Sequence, residues 1–216
     1  IRGLLNYLNK TGVALPFFGT GENHNTPRVC FRYPGEKAGR NHAIFIFTLA
    51  AVLPAIPFIH SGMELCEWHP VNLGLNFTEE DRKHYHPGNL PLFSASGYDW
   101  KNSNGLEPLN GYIRRILEIR ERYLDIVLSG DKGSISVPYA SHAELFAVMR
   151  TVSGRSLLFI GNSNLAEERI GWLEFSSEEE TMQDLIEGKT HTVTGHRLEI
   201  CCRPGQCMLF ELACRD

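Results

Sequence analysis

Two short apolar runs, VALPFFG and IPFIHSG, flank a mostly apolar stretch, NHAIFIFTLAAVLPA, that ends at Pro54. This order constrains the fold more than any other feature of the chain. Each run is too short for a helix and is bounded by glycine, which reads as a fully buried strand. Strand, helix and strand in succession predict two parallel neighbours joined by a crossover helix. A lone parallel pair would leave edges and apolar faces open. The pair therefore belongs in a larger sheet, supplied by a longer polypeptide or covered by another chain. The opening residues, IRGLLNYLNKTG, lack Met, place Leu4, Leu5 and Leu8 at helical spacing and offer Gly12 as a stop. They are expected to begin inside or just before a helix, as a piece of a longer protein would.

The first strand leads into TGENHNTPRVCFRYPGEKAGR, a long polar loop rich in Gly and Pro, the kind of segment in which function concentrates. A second long irregular stretch runs from Met63 to Leu109. A helix is expected from Leu109 to Leu128, with Ile113, Ile116, Leu117, Tyr123, Leu124 and Val127 on its apolar face. After Gly130 the pattern changes to short β-like runs, among them ELFAVMRTV, SLLFIGNSN, HRLEICC and QCMLFEL, with SGR and PGQ as turns. That spacing predicts an antiparallel β-sandwich. The boundary falls near residue 129, giving an α/β portion over 1–128 and a β portion over 129–216.

Composition excludes several classes. The net charge is −4 with no Lys/Arg run, so neither nucleic acid nor an anionic membrane is an expected partner. The longest apolar run is interrupted by Pro54 and Pro57 and is short for a membrane span. The six cysteines, Cys30, Cys66, Cys201, Cys202, Cys207 and Cys214, show neither paired zinc spacing nor a small-domain disulfide framework. Free thiols in a reducing, cytoplasmic compartment are expected. His69, His84 and His86 near Glu67 lack HExxH spacing and a Cys partner, so neither a metal nor another cofactor is expected. Trp68, Tyr85, Phe93, Tyr98 and Trp100 suit packing of the long loop better than stacking on a ligand.

Four segments in order, GTGENHNTPRV, IPFIHSGMELCE, HPVNLGLNF and YIRRILEIRERYLDIVLSG, followed by the β-sandwich tail, resemble the C-terminal third of the α-amylase superfamily, most closely its maltosyltransferase-like, α-glucan-acting members. The resemblance implies that the two α/β units are the seventh and eighth of a (β/α)8 barrel, followed by the C-terminal β-sandwich domain. Active sites in such barrels lie at the carboxyl ends of the strands, where the polar loops follow. It also implies an α-1,4-glucan or maltooligosaccharide as ligand and the missing barrel segment of the parent chain as partner. The chain is then one wall of the sugar cleft of a glucan hydrolase or glucanotransferase. The nucleophile and the acid/base of the family follow the fourth and fifth strands, which this sequence does not include, so the chain alone is expected to be inactive.

The family pattern places a His beside a third carboxylate at the end of the seventh strand. His24 matches the His; Asn25 occupies the carboxylate position. An Asn bonds sugar hydroxyls but carries no negative charge. Glu22, Arg28 and Glu64 complete the implied substrate-binding set. On the residues alone, His24-Asn25-Thr26 reads equally as a polar turn, Arg28 as a loop anchor paired with a carboxylate, and Glu64 as a brace of its loop. The Asn leaves a second class open: a non-catalytic relative that binds glucan or a partner protein through a degenerate site.

Overall fold

The computed structural model describes residues 1–31, 36–69, 74–84, 88, 90, 97–98, 100, 106–174 and 180–213. Tyr85, His86, Phe93 and Cys214 lie outside the described residues.

Helix α1 (Arg2–Thr11) ends at Gly12, whose N–H donates to Leu8 O at 2.8 Å with a φ of 77°. Strands β1 (Phe17–Gly19) and β2 (Ala55–Pro57) pair in parallel, Phe17 with Ala55 and Gly19 with Pro57, and helix α2 (Glu36–Val52) connects them. Gly19 is required by this packing: a Cβ there would sit 3.0 Å from the methyl groups of both Ala50 and Ala55. The expectation of two fully buried strands fails in an informative way. Phe18 is 72% exposed, Ile56 and Phe58 are exposed too, and Phe18 meets Phe58 edge-on with ring centroids 6.2 Å apart. The sequence is apolar as for a buried sheet, but no further strand among the described residues covers that face.

The helix expected over 109–128 is divided into α4 (Asn110–Arg122) and α5 (Leu124–Leu128); the short α3 (Glu79–His84) precedes them. Two hydrogen bonds mark the break at Tyr123. Its N–H turns to Arg120 O at 3.1 Å, while its hydroxyl donates to Glu211 Oε2 at 2.7 Å in the sandwich. Ile113, Ile116, Ile119, Ile126 and Val127 face the core, whereas Leu117 and Leu124 are exposed. Arg120 is buried and donates to the carbonyls of Ala51, Leu53 and Ala55. It thereby satisfies groups left open at the end of α2 and fixes the turn into β2.

The β portion holds β3 (Ile135–Ser136), β4 (Tyr139–Ala140), β5 (Leu145–Val152), β6 (Arg155–Asn162), β7 (Arg169–Glu174), β8 (Thr181–Gln183), β9 (Thr190–Thr194), β10 (Arg197–Cys202) and β11 (Cys207–Ala213). They form two antiparallel sheets, ordered β11-β6-β5-β3 and β4-β7-β10-β9-β8. The first sheet is buried on both faces. Phe146, Val148, Leu157, Phe159 and Leu209 point to α2, α4 and α5, and Leu145, Ala147, Leu158, Ile160 and Phe210 point to the second sheet. This explains why β5 and β6 read as continuous apolar runs, whereas β10, buried on one face, alternates. Phe45 of α2 packs on Gly161, where a Cβ would lie 2.6 Å from its ring.

One apolar core therefore crosses residue 128. Most of its buried side chains lie in residues 1–128, which lose the sheet face that covers them when expressed separately and should form oligomers or aggregate. Light scattering after size-exclusion chromatography checks this; a monomeric, cooperatively melting 1–128 would contradict it.

Candidate functional site

The loops after β1 and β2 meet at the carboxyl ends of the two strands. Glu22 lies three residues past Gly19, and His60 three residues past Pro57. Because the strands are parallel neighbours, equal steps bring the two side chains together. Phe58 N–H still donates to Gly19 O at 2.9 Å, which extends the pairing toward them.

Arg28 organises the junction. Its Nη1 donates to Glu22 Oε1 at 2.6 Å, His60 Nδ1 at 2.8 Å and Ser61 O at 2.9 Å, and its Nε donates to His69 O at 3.1 Å. Glu22 Oε2 accepts from Val29 N–H at 2.5 Å. Both charged side chains are 1% exposed. A buried ion pair is tolerated only when its remaining polar atoms are bonded, and here they nearly all are. Arg28 Nη2 lacks a hydrogen bond among the described residues, but the guanidinium lies 5.6 Å from the centroid of the Tyr98 ring, an attractive arrangement. Gly62, at a φ of 94°, permits this: an added Cβ would meet Tyr98 at 3.0 Å and Arg28 Nη2 at 3.1 Å.

Glu67 orders the chain that supplies the His69 carbonyl. It accepts from Trp68 N–H at 2.8 Å, His69 N–H at 2.9 Å and the His69 ring at 3.2 Å. Burial pushes its carboxyl up, but the backbone and ring of His69 and the Trp68 N–H outweigh that and hold it below the usual carboxylate range.

The residues singled out from sequence are distributed unevenly about this junction. Glu22 and Arg28, expected among the substrate-binding residues, are buried and bonded to each other. Arg28 is a loop anchor paired with a carboxylate. Glu64 accepts from Gly62 N–H at 2.9 Å, and its carbonyl accepts from Leu109 N–H at 2.7 Å, so it braces its own turn. His24 is exposed and makes no hydrogen bond among the described residues. Asn25 is half-buried; its N–H donates to Asn23 Oδ1 at 2.8 Å and its carbonyl accepts from Asn76 at 2.9 Å. Its side-chain Oδ1 is buried with no partner among the described residues. Asn23 N–H donates to the Thr26 hydroxyl at 2.9 Å, which closes the turn.

Sequence reasoning missed His60 and Tyr98 as members of this cluster. The strand expected over IPFIHSG includes His60, whereas β2 stops at Pro57 and leaves His60 on the loop that follows. No disulfide joins Cys30, Cys66, Cys201, Cys202 and Cys207, and the Cys30 thiol is pushed up by its hydrogen bond to Cys66 and by burial. No group of three or more His, Cys, Asp or Glu residues suited to a metal occurs among the described residues, and no helix there is long and apolar enough to cross a membrane.

No protein-family model matches the chain. No curated protein matches it either. Solved structures do. An α-amylase from Geobacillus thermoleovorans complexed with acarbose matches 99% of this chain at a TM-score of 0.64 and 15% identity. AmyP E221Q in complex with maltotriose matches 88% at 0.63 and 13%, and an Anoxybacillus α-amylase 90% at 0.59 and 15%. The chain spans only 37–42% of the length of these structures. It shares the fold of part of these α-amylases, and its β-sandwich is similar to their C-terminal domains.

Proposed function

We propose that the chain is the C-terminal part of an α-glucan hydrolase or glucanotransferase of the α-amylase superfamily, with maltosyltransferase-like members as the nearest kind. In this reading β1 and β2 are the last two strands of a (β/α)8 barrel, and the missing barrel segment of the parent chain covers Phe18, Ile56 and Phe58. The observation that carries the reading is the convergence of two loops at the carboxyl ends of parallel strands. A buried Glu22–Arg28–His60 brace there leaves His24 exposed on the adjoining turn. Barrels of this kind do their chemistry at that end. Two of the structurally similar amylases were solved with acarbose or maltotriose, which suits the same ligand class.

Within this reading His24 and Asn25 contact the sugar, while the brace holds their loop. Retaining glycoside hydrolysis takes two further carboxyl groups about 5–5.5 Å apart, which the parent chain would supply. The Asn25 side chain favours a second reading, a degenerate relative that binds glucan without turning it over. Incubating the full-length protein with maltoheptaose separates the two. An enzyme yields shorter or redistributed oligosaccharides, a binder gives heat in calorimetry with the ligand intact, and a protein that does neither overturns both readings. His24→Ala should weaken binding or turnover in either case, and the 216-residue chain alone should give no turnover.

A further inference from the structure

The Arg28 contact fixes the state of a second histidine. A guanidinium carries only donors. His60 Nδ1, 2.8 Å from Arg28 Nη1, must therefore accept, even though the two Nη1 hydrogens are shared with Glu22 Oε1 and Ser61 O. A proton on Nδ1 would face those N–H groups, and its only acceptor, Glu22 Oε1, is at 3.4 Å. With Nδ1 accepting from Arg28, Nε2 is the ring nitrogen left to donate. The His60 side chain is 14% exposed, and Nε2 has no partner among the described residues. Among the described residues, nothing meets this donor at the carboxyl end of β2.

We propose that His60 is a sugar-contacting residue that donates its Nε2–H to a hydroxyl oxygen of the bound α-glucan, with Arg28 and Glu22 as the positioning residues that set its tautomer. This rests on the glucan reading above. A ligand hydroxyl suits the site because it accepts one hydrogen bond without requiring a counter-charge. The neighbouring charges, Glu22 and Arg28, already neutralise each other. The site is distinct from the His24–Asn25 turn: it lies on the loop after the other strand.

Two substitutions separate a ligand contact from a brace. In His60→Asn the amide oxygen replaces Nδ1 and still accepts from Arg28, but nothing replaces Nε2. In His60→Gln the amide nitrogen replaces Nε2 as an outward donor, and the acceptor for Arg28 is lost. In the full-length protein, His60→Asn should melt like the parent and bind maltoheptaose about tenfold more weakly, the usual effect of one lost polar contact. His60→Gln should melt lower and keep affinity to within about threefold. A purely structural histidine gives the opposite: His60→Asn binds like the parent, and that result overturns the proposal. If His60→Asn is too unstable to assay, a folded His60→Gln that loses affinity overturns it equally. If His24→Ala weakens binding while His60→Asn does not, only the His60 assignment falls. If the parent binds no maltoheptaose, the glucan reading falls and takes His60 with it.

Discussion

Arg28→Met in the full-length protein should cost about 3–5 kcal/mol, the usual penalty for removing one partner of a buried ion pair. The side chain is replaced by one of similar reach, so the loss is one of charge and bonding more than volume. Glu22 would be left 1% exposed with its charge uncompensated, its carboxylate holding the Val29 N–H. Ser61 O and His69 O would lose their donor as well. Against a total stability of roughly 5–15 kcal/mol for an ordinary domain, this is enough to unfold a marginal protein. The double variant Glu22→Gln/Arg28→Met should recover a large part of the loss, because no buried charge is then left alone. Urea unfolding reads this as a shift in midpoint at unchanged slope. A single-variant loss under about 1 kcal/mol, the range of exposed pairs, would mean that the Glu22–Arg28 pair is not buried in the complete protein.

The β portion was the most legible part of the sequence. Strands such as β10 alternate cleanly, Arg197, Glu199 and Cys201 outward and Leu198, Ile200 and Cys202 inward, so periodicity identifies both the strand and its buried face. β5 and β6 could be read as strands but not assigned a face, because α2, α4 and α5 cover one side and the second sheet the other. The break at Tyr123 was not legible, and the Tyr123 hydroxyl bonds Glu211, 88 residues away in sequence. The site shows the same division. Local signals placed His24 and Asn25 on a polar turn after a strand. That Arg28 would find Glu22 locally and His60, Ser61 and His69 across a second loop depends on the parallel pairing of β1 with β2. The apolar character of Phe18 and Ile56 was legible, while their exposure was not, because it depends on what packs against that face of the pair.

The second large effect concerns position 25. Asn25→Asp should raise turnover of a maltooligosaccharide about tenfold or more in kcat, in a parent that carries the two upstream acids. A carboxylate there would stabilise positive charge developing on the sugar ring more than it stabilises the ground state. A charge-assisted bond contributes roughly 1.5–3 kcal/mol against about 1 for a neutral one, and each 1.4 kcal/mol or so is about a factor of ten in rate. The loop should tolerate the change. Its turn is held by the Asn25 N–H on Asn23, the Asn25 carbonyl on Asn76 and the Asn23 N–H on Thr26, none of which uses the Asn25 side chain. Oδ1 has no partner to lose among the described residues. Steady-state kinetics on maltoheptaose, parent against Asn25→Asp in the full-length protein, is the most direct test that the turn after β1 faces a reacting glucan. The account predicts a higher kcat with a smaller change in KM. An unchanged kcat in an otherwise active enzyme would contradict it, and ENHNTPR would then be a polar turn that closes a strand end and nothing more.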